Sequence, residues 1–206
     1  MGLLLSRNII ASYIFSSPLF SKKNGGIPMQ LENMVSLVSR TGRHLQRYDK
    51  GCRQVVGCIP YRYRQTEQES SSMEDIEVLV ISSQKGQGIL FPKGGWELDE
   101  SMEEAAYRET LEEAGVTGHL ELPRLGKWLY KSKSQGTFHE GYMFPLLVNK
   151  QLESWPEKTV RKREWMTIAD AKKACQNWWM REALDEFVRR QTQAQEKEAQ
   201  NVPVCT

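Results

Sequence analysis

Three glutamates, Glu109, Glu112 and Glu113, lie close together in the middle of the chain. On a helix, their spacing would place the three carboxylates on one face, where like charges repel by roughly 0.2 to 0.5 kcal/mol per pair. A hard divalent cation such as Mg²⁺ or Mn²⁺ would remove this repulsion, because these ions prefer oxygen ligands. The alternative is an exposed acidic helix relieved by pairs with Arg108, and the helix alone favours neither interpretation.

The segment that carries these glutamates is predicted to be helical over residues 101–114. Ser101 and Glu104 have the spacing of a capping box, and Gly115 provides a stop signal at the other end. The apolar side of this helix is predicted to consist of Tyr107, Leu111 and Ala114.

Other segments supply the remaining elements of the domain. Runs rich in β-branched and aromatic residues predict strands over 55–63, 77–82, 126–130 and 142–148, with edges or bulges at Pro60 and Pro145. An apolar stripe predicts a second helix over residues 168–191, in which Trp178 and Trp179 are expected to pack in the core. Strands mixed with two substantial helices indicate an α/β sandwich.

The spacing of the charged residues extends beyond the helix and matches a known pattern. The motif G-x5-E-x7-R-E-U-x-E-E-x-G-U, where U is a bulky apolar residue, is matched by Gly94, Glu100, Arg108, Glu109, Glu112, Glu113, Gly115 and Val116. Seven fixed letters at frequencies near 6% would arise by chance in such a chain less than roughly once in a million. The chain therefore resembles the Nudix hydrolases over residues 50–190. Thr110, at the first U position, is the one departure.

The resemblance implies a fold and a chemistry. The fold would be the Nudix α/β/α sandwich with a mixed β-sheet, and the reaction would be hydrolysis of a diphosphate bond. Metal ions held by Glu109, Glu112, Glu113 and the Gly94 carbonyl would withdraw charge from the phosphates and acidify a bound water. Arg108 would orient the carboxylates and Glu100 would brace the loop. The sequence does not rank Mg²⁺, Mn²⁺ and Zn²⁺, and the general base stays open among Glu112, Glu140 and Glu157.

Residues outside the motif resemble the diphosphoinositol polyphosphate and diadenosine polyphosphate phosphohydrolase branch. The features that carry this resemblance are Arg47-Tyr48-Asp49, Arg53, Ser82-Ser83, His139, the run from Arg161 to Trp165, and Asp170-Ala171. The implied substrate contacts are Arg53, Ser83, Lys85, His139 and Arg161, since a long phosphate chain needs several cations at different distances. A lysine of that branch is replaced here by Trp179, which leaves room for a base or ribose.

The leading hypothesis is therefore metal-dependent hydrolysis of dinucleoside polyphosphates, with long-chain diadenosine compounds favoured. The enzymatic alternatives are inositol pyrophosphates, ADP-ribose, NADH and capped RNA. A catalytically inactive nucleotide-binding module is disfavoured, because every charged position of the motif is present. The balance of 28 Lys and Arg against 26 Asp and Glu predicts no nucleic-acid partner. No membrane span is predicted, because Ser12, Ser16, Ser17 and Pro18 interrupt the apolar run near the N-terminus. The sequence indicates no oligomeric state.

The ends of the chain differ in composition from its middle. Residues 1–31 contain no acidic residue and mix basic, serine and apolar residues, which is typical of a mitochondrial transit peptide. Myristoylation at Gly2 and an unprocessed tail on a cytoplasmic protein are the alternatives. The Nudix domain is expected over residues 32–190, followed by a disordered polar tail over 191–206. The four cysteines are expected to be free thiols.

Overall fold

The structure is a computed structural model that describes residues 38–64, 73–84, 88–132 and 136–200. The predicted transit peptide over residues 1–31 lies outside these ranges, as do Lys85 and Cys205.

Cys52, Cys58 and Cys175 carry free thiols, as expected. None of the helices in the described ranges is long and apolar enough to cross a membrane.

Nine strands form one sheet within the described residues. They are β1 (Tyr48–Asp49), β2 (Cys52–Tyr63), β3 (Ile76–Ser82), β4 (Ile89–Leu90), β5 (Lys93–Gly95), β6 (Val116–Leu120), β7 (Gly126–Lys131), β8 (Phe138–Gln151) and β9 (Arg163–Thr167). The main path runs β4-β3-β2-β8-β6, and β2 lies parallel to β8 while the other paired strands are antiparallel. All four predicted strands are confirmed, and the sheet is mixed.

Three helices cover the two faces of this sheet: α1 (Met102–Ala114), α2 (Ile168–Ala174) and α3 (Trp178–Gln200). Alternate residues of β2 point to opposite faces, so Cys58 packs in the cluster under α1 while Ile59 packs in the cluster under α2 and α3. Each cluster buries apolar side chains from β2, β3 and β8 against helical ones. The predicted α/β/α sandwich is confirmed.

The second predicted helix is not continuous. It ends at Ala174 and restarts at Trp178, because the backbone at Cys175 is extended and forms a bridge with Ile89 that buries the thiol. The restarted helix then continues to Gln200, so the disordered tail predicted from residue 191 is wrong over residues 191–200. The side chain of Gln191 is buried there. Residues 201–206 lie outside the described ranges.

The two strand prolines are buried in the sheet rather than placed at its edges. Pro60 and Pro145 both belong to the parallel pairing of β2 with β8. At Pro60, the second neighbour of β2 changes along the chain from β5 to β3. At Pro145, the second neighbour of β8 changes from β7 to β6. A gap in the ladder at these points tolerates a residue without an N–H group.

Candidate active site

Helix α1 begins and ends where its local sequence directs. The Ser101 hydroxyl accepts from the Glu104 N–H at 3.1 Å, and the Glu104 carboxylate accepts from the Ser101 N–H at 2.8 Å. At the other end, Gly115 adopts the left-handed conformation with φ 63°, and its N–H donates to the Leu111 carbonyl at 3.0 Å. The predicted capping box and stop signal are both confirmed, and they fix which turn of the helix carries the glutamates.

The side of α1 that faces the core carries small side chains. Ala105, Ala106 and Thr110 are fully buried, and the Thr110 hydroxyl donates to the Ala106 carbonyl at 2.8 Å. The hydroxyl at this motif position is therefore satisfied within the helix rather than left unpaired in the core. Small side chains bring the α1 backbone close to the sheet, so the glutamates that follow are drawn inward as well.

The glutamates are buried rather than solvated. Glu112 and Glu113 are 8% and 5% exposed, whereas Tyr107 and Leu111, predicted to form the buried side, are only half-buried. The exposed acidic helix is therefore wrong for these two positions. Burial of carboxylates at this level requires partners, because an unpaired charge in a low-dielectric environment is costly.

Strand β5 lies directly against these carboxylates. A Cβ atom added to Gly94 would lie 1.9 Å from Glu109 Oε2, so the residue at this position must be glycine. The N–H of the preceding residue, Lys93, donates to Glu113 Oε2 at 2.8 Å. The backbone of β5 and the side chains of α1 thus share one small region, which we call the carboxylate face (Gly94, Glu109, Glu112 and Glu113).

Arg108 and Glu100 connect this face to the loop before α1. The Arg108 guanidinium donates to both Glu100 oxygens, at 2.9 and 2.7 Å, and to the Gly95 carbonyl at 2.9 Å. Its Nη1 donates to Glu109 at 2.8 Å and to Glu112 at 3.4 Å. Glu100 in turn accepts from the Glu97 N–H at 3.1 Å. The bidentate pair therefore joins loop and helix through charge-assisted hydrogen bonds, as expected for these two positions.

Burial and mutual repulsion disfavour the charged forms of the glutamates on the carboxylate face. Burial first, and then the charge of Glu109, raise the pKa of Glu112 to about 7 against the effect of Arg108. Burial also raises the pKa of Glu113 to about 7, although Lys93 and Arg161 oppose the shift. The pKa of Glu109 is raised by burial as well. Perturbed carboxyl groups that lie together in this way are typical of functional sites.

Arg161, predicted as a substrate contact, lies directly against the carboxylate face rather than at a distance from it. Its guanidinium is buried, donates to Glu113, and donates to Glu157 Oε2 at 2.5 Å and to the Ser82 carbonyl at 3.1 Å. The prediction of a free phosphate contact at Arg161 therefore does not match its position. Ser83 lies in the turn after β3, where its N–H donates to the Gly88 carbonyl at 3.0 Å.

A second charged region forms where β2 and β8 run side by side. Arg53 and His139 are register partners on these strands, and Arg53 Nε donates to Gln46 Oε1 at 2.6 Å. His139 is 5% exposed, and burial together with the charges of Arg53, Lys93 and Arg43 lowers its pKa to about 4. We call Arg43, Arg53, Lys93 and His139 the cationic cleft. The structure brings two of the predicted substrate contacts, Arg53 and His139, together here.

Aromatic side chains form the wall beside His139. Trp179 is 2% exposed and stacks on Tyr130 with ring centroids 4.6 Å apart and an interplanar angle of 12°. Tyr130 presents its ring to His139 at 5.5 Å. Trp179 therefore packs in the core, as predicted, whereas Trp178 is 47% exposed and does not.

The comparison with known families agrees with this geometry. The family model described as NUDIX domain matches residues 55–187, which is more than half of the chain. The chain belongs to the Nudix hydrolase family. The match lies within the predicted domain boundaries and contains the whole carboxylate face together with Lys93 and His139 of the cationic cleft, whereas Arg43 and Arg53 precede it.

Individual relatives extend the match. Two proteins of Arabidopsis thaliana are similar: Nudix hydrolase 17, mitochondrial, is 61% identical over 162 residues (79% of this chain, 88% of that one), and Nudix hydrolase 21, chloroplastic, is 58% identical over 177 residues (85% and 86%). Diphosphoinositol polyphosphate phosphohydrolase 3-alpha of Mus musculus is 37% identical over 133 residues (63% and 73%). The identities of 61% and 58% to the two Arabidopsis thaliana proteins make this chain a Nudix pyrophosphohydrolase.

A solved structure supports the fold assignment. The crystal structure of an Ap4A hydrolase from C. elegans superimposes with a TM-score of 0.51 at 22% identity, covering 65% of this chain and 94% of that one. At this level of identity the likeness concerns the Nudix fold alone.

Nudix hydrolases generally need divalent metal ions, and the donor set of this chain fits such ions in chemistry. The carboxylate face offers only hard oxygen donors, buried together and with raised pKa values. Among the residues that the structure describes, however, no three acidic, His or Cys side chains converge on one point. Glu109 and Glu112 share the Arg108 donor, Glu112 also accepts from the Arg40 N–H, and Glu113 accepts from Arg161.

The general base was left open among Glu112, which belongs to the motif, and Glu140 and Glu157, which do not, and the structure separates these candidates. The Glu157 N–H donates to the Glu112 carbonyl at 3.1 Å, so these two residues are neighbours. Glu140 instead accepts from Tyr142 at 2.7 Å and from Lys127 at 2.6 Å on the outer part of β8.

Three residues of the site were not predicted as site residues from the sequence: Arg43, Lys93 and Gln46. Lys93 directly precedes Gly94, and Arg43 belongs to a stretch between residues 33 and 66 in which Asp49 is the only acid. Both signals were available, but only the fold determines which members of a basic stretch face the site.

Proposed function

We propose that this Nudix hydrolase cleaves diphosphate bonds in dinucleoside polyphosphates, with Mg²⁺ or Mn²⁺ as cofactor. The observation that carries the proposal is the contact between two oppositely charged regions through Lys93. Its backbone N–H donates to Glu113, while its charge lowers the pKa of His139 in the cationic cleft. A ligand that carries both divalent cations and a chain of phosphates complements these two regions together.

Each residue of the carboxylate face has a proposed role. Glu109, Glu112, Glu113 and the Gly94 carbonyl would hold the cation, which when bound withdraws charge from the phosphates and acidifies a water. Arg108 would keep Glu109 and Glu112 oriented through its bonds to both, and Glu100 would keep Arg108 attached to the loop. Glu112 or Glu157 would accept the proton of the attacking water.

The cationic cleft supports a linear phosphate chain better than a heavily phosphorylated ring. Arg161, predicted to contact phosphates, is paired with two glutamates, and Trp179 stands where the resembling branch has a lysine, so this chain has fewer cations free to bind phosphates than that branch. The aromatic wall of Tyr130 and Trp179 beside His139 adds an apolar boundary. Inositol pyrophosphates remain the second candidate, because a relative at 37% identity is named for that substrate class.

The decisive experiment measures kcat/KM against the number of phosphates in diadenosine compounds at fixed Mg²⁺, beside inositol pyrophosphates, ADP-ribose, NADH and capped RNA. We expect kcat/KM to rise from three phosphates to five or six, since each charge-assisted contact contributes about 1.5 to 3 kcal/mol. Arg161→Ala should slow all lengths alike, because Arg161 lies on the carboxylate face. A flat profile, or a maximum at another substrate, would rule out long-chain specificity.

We also propose that residues 1–31 deliver the protein to mitochondria. One relative is named mitochondrial and another chloroplastic, and both names support an organellar destination. The choice of mitochondria rests on the composition of residues 1–31. A fluorescent reporter fused behind residues 1–50 should enter mitochondria. Accumulation in chloroplasts, in the cytosol or at a membrane would each contradict the mitochondrial proposal.

A further inference from the structure

A segment N-terminal to β1 lies across the carboxylate face. Residues 38–46, which we call the strap, place the Arg40 N–H 3.3 Å from Glu112 Oε2, to which it donates. The preceding residue, Ser39, donates from its hydroxyl to Glu157 Oε1 at 3.5 Å. The strap thus contacts both of the neighbouring residues that could act as general base.

Both ends of the strap are attached to the loop that precedes α1. Near its start, the Arg40 guanidinium donates to Glu97 Oε2 at 2.5 Å and to both Asp99 oxygens at 3.1 and 3.2 Å. Near its end, the Leu45 carbonyl accepts from the Leu98 N–H at 2.8 Å. Among these attachments, the side-chain contacts of Arg40 are the ones that place residues 39 and 40 over Glu112.

The attachment at Arg40 is weak enough to open. The side chains of Arg40 and Asp99 are 41% and 47% exposed, and that of Glu97 is 16% exposed, so Arg40 stays in contact with solvent in both pairs; ion pairs of such an exposed side chain shift an equilibrium by about fivefold. The contacts that Arg40 and Ser39 make with Glu112 and Glu157 are both long. A segment held in this way exchanges between a covering and an open position at little cost.

We propose that the strap is a gate over the carboxylate face, and that Arg40 sets how often it is closed. In the closed position, Glu112 receives donors on both oxygens, Arg108 on one and the Arg40 N–H on the other. A cation that binds Glu112 and a diphosphate that follows it need the side that the strap covers. Binding therefore selects the open position, and any change that detaches Arg40 strengthens binding.

This inference rests on the proposed function, because it requires a divalent cation at the carboxylate face. The first test measures Mn²⁺ binding to the full chain by electron paramagnetic resonance, at about 0.15 M salt to screen distant charges. Arg40→Ala and the double variant Glu97→Gln/Asp99→Asn both detach Arg40, yet they change the charge in opposite directions. The gate predicts Mn²⁺ binding up to about fivefold tighter in both. Lys172→Ala, which breaks an equally exposed pair with Asp185 far along the chain, is the matched control and should bind as the wild type does.

Simple electrostatics predicts a different pattern, in which Arg40→Ala binds Mn²⁺ more tightly and the double variant more weakly. That pattern, or unchanged affinity in both variants, would overturn the gate. The second test follows amide hydrogen exchange over residues 38–46, which should become several-fold faster with Mn²⁺ and methylenediphosphonate. Slower exchange would likewise refute it. Failure of the proposed function is distinguishable, because wild-type Mn²⁺ binding would then be insensitive to Glu112→Gln.

Discussion

The carboxylate face and the cationic cleft are built in different ways. All four members of the carboxylate face lie within residues 94–116, on strand β5 and on helix α1, which follows it along the chain. The members of the cationic cleft come from the strap, β2, β5 and β8, and the parallel register of β2 with β8 places Arg53 beside His139. The group proposed to hold the metal is thus encoded locally, whereas the group proposed to bind the substrate depends on the sheet.

Burial acts on the two regions with opposite sign. It raises the pKa values of the glutamates and lowers the pKa of His139, because in each case the charged form is disfavoured. Like charges add to the effect on each side, from Glu109 on Glu112 and from Arg53 on His139. Each region therefore favours a ligand of opposite charge, and a metal-bound polyphosphate supplies both.

The largest expected effect tests the carboxylate face. Glu112→Gln should lower kcat by at least about a hundredfold, the scale of a lost electrostatic group in catalysis, because it removes a charged oxygen donor. Folding should survive. The pKa of Glu112 rises from 4.5 to about 7 on folding, so the folded state holds this proton more tightly and loses stability as the pH rises through that window. The variant should therefore unfold at an equal or higher temperature than the wild type at about pH 8.

Glu103→Gln is the matched control for this measurement, because it makes the same change in the first turn of the same helix, at a position that the motif leaves variable. Its kcat should equal that of the wild type. If Glu112→Gln kept its activity, the carboxylate face would be structural.

The next effect tests the cationic cleft separately. Arg53→Ala should raise KM for the longest diadenosine substrate by about tenfold or more while kcat changes little, because a charge-assisted contact to phosphate is lost in the ground state as well as the transition state. Arg62→Ala on the same strand removes the same charge from an exposed pair with Glu77 and should leave KM unchanged. A fall in kcat with constant KM would mean that Arg53 serves the carboxylate face instead.

The smallest effect is spectroscopic. The imidazole of His139 should stay neutral in the free protein between about pH 8 and about pH 5, since burial and three cations lower its pKa to about 4. Methylenediphosphonate, whose charge opposes those cations, should raise that pKa. Nuclear magnetic resonance of the ring protons, assigned with His139→Gln, follows both values. Titration near 6.5 without ligand would show that the cations do not surround this residue.

Much of the site could be predicted from the sequence because it depends on short-range rules. The capping box of Ser101 and Glu104, the stop at Gly115 and the facing of the three glutamates follow from helix geometry alone. The glycine at position 94 was predicted from the motif instead, and the structure supplies its reason, since only a residue without a side chain leaves space for the Glu109 carboxylate. The family and its chemistry were therefore readable from residues 94–116.

Tertiary structure decided what lies outside that range. Arg161 matched a substrate position in sequence, yet the fold turns it onto Glu113 and Glu157, because a buried arginine must satisfy its donors wherever carboxylates are within reach. The second helix breaks at Cys175 since packing against Ile89 outweighs local propensity. Lys93 and Arg43 join His139 only through the pairing of distant strands and the path of the strap. Helical spacing is a property of neighbouring residues, whereas a cluster of three cations around a histidine, drawn from four segments, exists only once the sheet has formed.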